Sequence, residues 1–195
     1  MKKTSGFTLA EVLITLGIIG VVAAMTIPTL MNQSSQAVFR TGFKKAVSVL
    51  NQAITMNVAL NDSDFSALSS GDTSGSVFYM LNTRMNVLKT IAGTSDMGAG
   101  GPFDQGSNYA LYLTDGMTLS INTNLNACAT VTDNCKMVVD VNGIKGPNTL
   151  STATDTSGSL TDQYVLNFYN QQVLPGNNAA IYALYGISPA TNQVP

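Results

Sequence analysis

The chain has 195 residues, of which 45 % are apolar and 10 % are charged, and its formal net charge is −2. Soluble domains typically carry about 25 % charged residues. The few basic residues are scattered, with Lys44 and Lys45 the only adjacent pair beyond the N-terminus, which argues against nucleic acid as a partner because phosphate binding requires larger clusters of Lys and Arg. The chain contains no His, so it lacks the usual general base at neutral pH and the commonest metal ligand.

An apolar run extends from Phe7 to Ile27 and carries one charge, Glu11. A helix over this run would be about 30 Å long, which is the thickness of the hydrocarbon core of a bilayer. The run is longer than the core of a typical signal peptide, which has about 7–15 residues. Lys2 and Lys3 precede it, and positive charge keeps that end cytoplasmic. The sequence therefore predicts a single membrane span with the rest of the chain on the far side.

Glu11 is the unusual residue of this span. A charge inside a membrane costs a few kcal/mol and points to a function that requires a charged partner. The alternative is a plain membrane anchor, in which the carboxylate reaches the bilayer interface and has no function.

The start of the chain resembles the prepilin signature of type IV pilins and type II secretion pseudopilins. The matching features are Lys2-Lys3, the segment Gly6-Phe7-Thr8-Leu9-Ala10-Glu11 and the apolar helix that follows. The resemblance implies that a prepilin peptidase removes residues 1–6 by cutting between Gly6 and Phe7, and that Phe7 is then N-methylated. It also implies that Glu11 pairs with the free amino terminus of a neighbouring subunit, and that Pro28 bends the helix.

The resemblance implies a structural filament subunit and not an enzyme. Before assembly the protein would lie in the bacterial inner membrane with its head in the periplasm. Inner-membrane assembly machinery would then add it to a pilus or pseudopilus, beside copies of itself or other pilin-like subunits. The signature is shared by pilins and pseudopilins and by major and minor subunits, so it names no adhesion, motility, DNA-uptake or secretion role.

An ordinary secreted or membrane-anchored binding protein is the alternative. The small residues Val22-Ala23-Ala24 form a possible site for ordinary signal peptidase, with Met25 as the new amino terminus. Glu11 would then belong to a discarded export signal. The length of the apolar run and the charge inside it argue against this reading.

Residues 29–60 predict a continuation of the helix beyond Pro28. Proline kinks a helix without necessarily ending it, and this stretch contains no further proline. Apolar residues recur at steps of three and four, which predicts one buried stripe on an amphipathic helix. The stripe consists of Phe39, Phe43, Val47, Leu50 and Ile54.

Residues 61–195 predict a globular head. A second, shorter helix is predicted over 77–91, and the stretches 61–76, 92–108, 145–162 and 175–195 are predicted to be loops and an irregular tail. Three or four antiparallel strands packed on the long helix predict an α+β fold of pilin-like layout. The predicted strands are 109–114, 117–122, 136–141 and 163–169, with a short piece at 173–174, and Asp115-Gly116 forms a hairpin turn between the first two.

Cys128 and Cys135 are the two cysteines of the chain. In a head outside the cytoplasm they are expected to form a structural disulfide. A loop this short would add about 2–3 kcal/mol to stability in the chain-entropy model.

No catalytic constellation and no cofactor-binding motif is recognisable, because the serines lack a His partner. A loose calcium-loop pattern involves Asp140 and Asn142, with Asp162 as a distant ligand, but the EF-hand spacing fails. The favoured reading of this stretch is a strand that ends in an Asn142-Gly143 turn, so no metal is predicted.

Overall fold

The computed structural model describes residues 6–69, 74–92, 108–122, 125, 127–130, 135–151 and 161–186. It divides the chain into two units, Met1–Ala37 and Val38–Pro195, here called the N-terminal unit and the folded unit. The described elements are α1 (Leu9–Asn61), α2 (Val77–Arg84), β1 (Val87–Ala92), β2 (Asn108–Leu113), β3 (Thr118–Asn122), β4 (Lys136–Asp140), β5 (Gln163–Tyr169), β6 (Gln172–Pro175) and α3 (Asn178–Tyr185). The predicted α+β class with one long N-terminal helix is confirmed.

Helix α1 follows the predicted pattern closely. It contains Pro28 without interruption, and it ends at Asn61, one residue after the predicted end. All five residues of the predicted apolar stripe are buried. This face of the helix supplies one wall of the core, where the ring of Phe43 stacks on the ring of Tyr164 in β5 with centroids 4.4 Å apart.

The six strands form one antiparallel sheet in sequence order, from β1 to β6. Asp115-Gly116 turns β2 into β3 as predicted, with Gly116 at a positive φ of 90°, where glycine is strongly favoured. Six strands exceed the three or four expected. The predicted short piece at 173–174 lies within β6. Strand β1 was not predicted, because most of it falls within the predicted helix over 77–91.

The predicted helix over 77–91 is wrong in its second half. Helix α2 ends at Arg84, and residues from Val87 onward pair with β2. A helix over 77–91 would place Leu88 on the same face as Phe78 and Leu81, but its side chain is 75 % exposed at a bulge in the edge strand. Apolar spacing does not separate a short helix from a strand when β-branched residues are interspersed.

The predicted irregular tail over 175–195 contains helix α3. The side chain of Asn177 accepts a hydrogen bond from the backbone N–H of Ala180, and Gly186 ends the helix in the left-handed conformation. These are ordinary N-cap and C-cap signals around an alanine-rich segment. The apolar positions of the helix join the core through Ala180 and Ala183.

A side chain of α1 forms hydrogen bonds with the free edge of strand β6. The amide of Asn51 accepts a hydrogen bond from Val173 N–H at 3.0 Å and donates one to Val173 C=O at 3.2 Å. An exposed strand edge is a template for unwanted pairing, and Asn51 occupies both backbone groups at the centre of this edge.

Gly42 lies where α1 meets the loop that follows β4. A Cβ at this position would lie 3.0 Å from the Cβ of Val141, which is closer than ordinary packing allows. We expect Gly42→Leu to lower the free energy of unfolding by about 1–3 kcal/mol through overpacking. Ser48→Leu, at an exposed position of the same helix, should change it by no more than about 0.5 kcal/mol. Chemical denaturation would test this, and equal effects of the two substitutions would contradict it.

Candidate processing and assembly site

The described part of the N-terminal unit is an apolar helix without a covering partner. By length and composition, α1 can cross a membrane, and the described residues include no second helix that can. Soluble monomers rarely expose contiguous apolar patches beyond a few hundred Å², so this surface requires lipid or other protein around it. Its exposed large apolar side chains are Leu9, Val12, Leu13, Ile14, Leu16, Ile18, Ile19, Val21, Val22, Met25, Ile27, Leu30 and Met31.

The predicted cleavage point lies just before this helix. Gly6 and Phe7 are both exposed and non-helical, and α1 begins two residues later at Leu9. The Phe7 side chain is 90 % exposed. A bond in an exposed, irregular stretch is accessible to a protease.

Glu11 closes a capping box with Thr8 at the start of α1. Its Oε2 accepts hydrogen bonds from Thr8 N–H at 2.8 Å and from the Thr8 hydroxyl at 2.9 Å. The Thr8 Oγ1 in turn accepts one from Glu11 N–H at 3.3 Å. This reciprocal arrangement satisfies donors at the helix terminus. The capping role of Thr8 was not predicted, although Thr8-x-x-Glu11 before an apolar run is the usual sequence signal of a capping box.

Cys128 and Cys135 form a disulfide with 5.9 Å between their Cα atoms. Both residues are buried, and backbone hydrogen bonds join this loop to two others. Cys128 N–H donates to Phe65 C=O in the turn after α1, and Asn170 N–H in the β5–β6 turn donates to Cys128 C=O. Cys128 therefore links the turn after α1 with the β5–β6 turn.

The three residues of the loose calcium pattern do meet in space, around the loop that follows β4. Asp140 accepts hydrogen bonds from the Gln163 amide at 2.9 Å and from Asn142 N–H at 3.1 Å. Asp162 accepts two from the backbone N–H groups of Asn148 and Thr149, each at 2.8 Å. The carboxylates thus fix both ends of the loop. Within the described ranges, no group of three or more His, Cys, Asp or Glu residues is placed to hold a metal ion.

Burial raises the pKa of Asp140 to about 7, and the nearby charge of Asp162 adds to this effect. The hydrogen bond from the Gln163 amide acts in the opposite direction by favouring the ionised form. Because the pKa is higher in the folded protein than in the unfolded chain, the folded state retains a proton between about pH 4 and 7. Ionisation of Asp140 is therefore unfavourable to folding across this range.

We expect the free energy of unfolding to fall as pH rises from about 4 to 7, at about 1 kcal/mol per pH unit. Asp140→Asn should remove most of this slope. Asp64→Asn is the control. Although partial burial raises the pKa of Asp64, hydrogen bonds from Ser66 and Gln171 bring it below its usual value. Urea denaturation at pH 5, 6, 7 and 8 measures the slope, and an unchanged slope in Asp140→Asn would refute the assignment.

The family model of the prokaryotic N-terminal methylation motif matches residues 1–27. No curated protein and no solved structure matches the chain. The match covers the cleavage point, Glu11 and most of the apolar segment, and it leaves the folded unit outside. Residues 1–27 of this chain are a prokaryotic N-terminal methylation motif, the signature of type IV pilins and pseudopilins.

Proposed function

We propose that this chain is a structural subunit of a helical filament, either a type IV pilus or a type II secretion pseudopilus. One observation carries the proposal. The methylation motif contains the first part of an apolar helix, residues 9–27, whose large apolar side chains are all exposed. Such a helix is suited first to lipid and then to a core of neighbouring helices, and both environments are apolar.

In this proposal, a prepilin peptidase removes residues 1–6 and leaves Phe7 as an N-methylated amino terminus. Residues 7–28 span the inner membrane and later form the filament core. Residues 29–60 continue the helix beyond a bend at Pro28 and carry the head, residues 61–195, in the periplasm. The disulfide between Cys128 and Cys135 is compatible with that oxidising compartment.

Glu11 sets the axial register between subunits in this proposal. Cleavage before Phe7 creates a cationic amino group, and a carboxylate in apolar surroundings requires an opposite charge. Before assembly, the hydrogen bonds from Thr8 satisfy the carboxylate within its own chain. During assembly, the amino terminus of a neighbouring subunit replaces or joins them. The contact joins different surfaces of two copies, and a contact of this kind propagates as a helix when its rotation does not close a ring.

Fractionation of cells with and without the inner-membrane assembly machinery tests the proposal. We expect sheared or sedimentable filaments to contain the protein when the machinery is present, and the protein to remain in the membrane when it is absent. A protein that stays in the membrane in both strains, or is soluble in the periplasm, would instead be an anchored or secreted binding protein. Asp140, Asn142 and Asp162 are proposed to have a structural role in either case.

A further inference from the structure

The first charges after the apolar span are all positive. From Val12 to Phe39 the chain carries no charged residue, and Arg40, Lys44 and Lys45 then follow within two turns of α1. No acidic residue occurs on the helix between these cations and its end at Asn61. The three cations lie near the start of the folded unit.

The length of the charge-free run matches a whole bilayer. Its 28 residues correspond to about 42 Å of helix, and a bilayer with its headgroups is about 40–45 Å thick. Arg40 is the first charge in the sequence after this run. Helical side chains incline toward the helix N-terminus, which is the membrane side here.

A fourth cation lies on the loop that packs against the same part of α1. Val141 contacts Gly42, and the loop that starts there exposes Ile144 and Lys145. Ile144 is 70 % exposed, so the loop presents a large apolar side chain beside a cation, a pairing suited to a membrane interface.

Two of the four cations have partners within the folded unit. The Lys45 ammonium lies 2.8 Å from the Asp115 carboxylate, and the Arg40 guanidinium lies 4.4 Å from the centroid of the Tyr182 ring. Lys44 and Lys145 are exposed. These two lysines are therefore the members of the basic cluster best placed to contact an external anion.

We propose that the basic cluster of Arg40, Lys44, Lys45 and Lys145 binds anionic phospholipid headgroups of the periplasmic leaflet while the subunit waits in the membrane. Basic residues beside a membrane span are attracted to anionic lipid, and the attraction fades within a Debye length of about 8–10 Å. The contact would hold the folded unit at the bilayer surface and would be released when the subunit is extracted. The inference rests on the membrane-resident state of the proposed function.

Lysine reactivity in vesicles tests this inference without a variant. The full chain is reconstituted in vesicles of zwitterionic lipid alone or with added phosphatidylglycerol, and a membrane-impermeant acylating reagent is applied. At about 0.15 M salt, where the Debye length is about 8 Å, we expect Lys44 and Lys145 to react about threefold more slowly in the anionic vesicles, as a surface potential near −30 mV implies. High salt should restore their rates. Lys89 and Lys136 of the same molecules are the internal controls and should react equally in both vesicles.

Three results would overturn the inference. In the first, Lys44 and Lys145 react as fast as the control lysines in both vesicles. In the second, they react more slowly than the control lysines, but to the same extent in both vesicles. In the third, inorganic phosphate protects them in zwitterionic vesicles, which would identify a free anion as the ligand. Flotation of the vesicles separates this inference from the proposed function. A chain that floats with neither vesicle contradicts membrane residence itself, whereas a chain that floats with both but shows no lysine protection contradicts the lipid contact alone.

The double substitution Lys44→Gln with Lys145→Gln gives a second test. Polymer extraction of cell membranes yields nanodiscs that hold the protein with its surrounding lipid. The enrichment of anionic lipid in these nanodiscs should be about threefold lower for this variant than for the parent. Lys89→Gln with Lys136→Gln removes the same charge from β1 and β4 and should leave the enrichment unchanged. Equal enrichment in all three proteins would overturn the inference.

Discussion

Glu11→Val should abolish filament formation while membrane insertion and leader cleavage continue. Valine is more apolar than glutamate, so the span inserts at least as well. In the filament, the amino terminus of Phe7 would lose its carboxylate partner in apolar surroundings. Removing one partner of a buried ion pair costs about 3–5 kcal/mol, which is a factor of at least about one hundred in an equilibrium constant. Quantifying the protein in sheared filaments against the membrane pool measures this effect.

Thr26→Val is the matched control for this substitution. Thr26 lies on the same apolar helix and donates its hydroxyl hydrogen bond to the Val22 carbonyl, so the change removes a polar group but no charge. We expect Thr26→Val to assemble like the parent. If Glu11→Val formed filaments as abundantly as Thr26→Val, the register role assigned to Glu11 would be wrong.

Replacing both Cys128 and Cys135 by Ala should destabilise the folded unit by about 2–4 kcal/mol. Part of this loss comes from the greater freedom of the unfolded chain. The remainder comes from the backbone hydrogen bonds of Cys128 to Phe65 and Asn170, which depend on the position that the disulfide gives this residue. Chemical denaturation of the full chain in detergent micelles, followed by the near-ultraviolet circular dichroism of its tyrosines, gives the change in stability.

The parent protein in reductant is the control for the cysteine variant. Reduction and substitution both open the same loop, so the two samples should unfold at similar denaturant concentrations. A parent protein whose unfolding midpoint is the same with and without reductant would show that the disulfide contributes nothing to stability.

The long helix and most of the sheet are predictable because each has a clear apolar period. In α1 the step of three and four residues places Phe39, Phe43 and Leu50 on one buried face. Strand β5 was predicted with its observed bounds, Gln163–Tyr169, since aromatic and β-branched residues dominate it. The β2–β3 turn is predictable because Asp115-Gly116 lies between two apolar runs, which is a local hairpin signal.

The errors arise where local pattern is ambiguous or where contacts are distant in sequence. Val87–Ala92 has the apolar spacing of a helix, and only its pairing with β2 makes it a strand. Helix α3 has both caps in its sequence, Asn177 and Gly186, but its short length hid it among loop residues. The role of Asn51 at the edge of β6 depends on a contact across 122 positions, which no local pattern reveals.

The residues of the candidate sites also differ in whether they can be predicted from the sequence. Gly6, Phe7 and Glu11 are recognisable from sequence because they lie together in the short linear segment that the methylation motif matches. Two other contacts could not be predicted without the fold. These are the contact between Gly42 and Val141 and the proximity of Asp140 to Asp162. That the loop carrying Lys145 begins beside α1 likewise becomes visible only from the proximity of Val141 to Gly42.

The intact mass of the protein, purified from membranes of cells that contain the assembly machinery, distinguishes a processed filament subunit from a secreted protein. We expect a mature chain that begins at Phe7, carries one added methyl group and retains the disulfide between Cys128 and Cys135. A mass that begins at Met25 would contradict this expectation, because Glu11 would then belong to a discarded export signal.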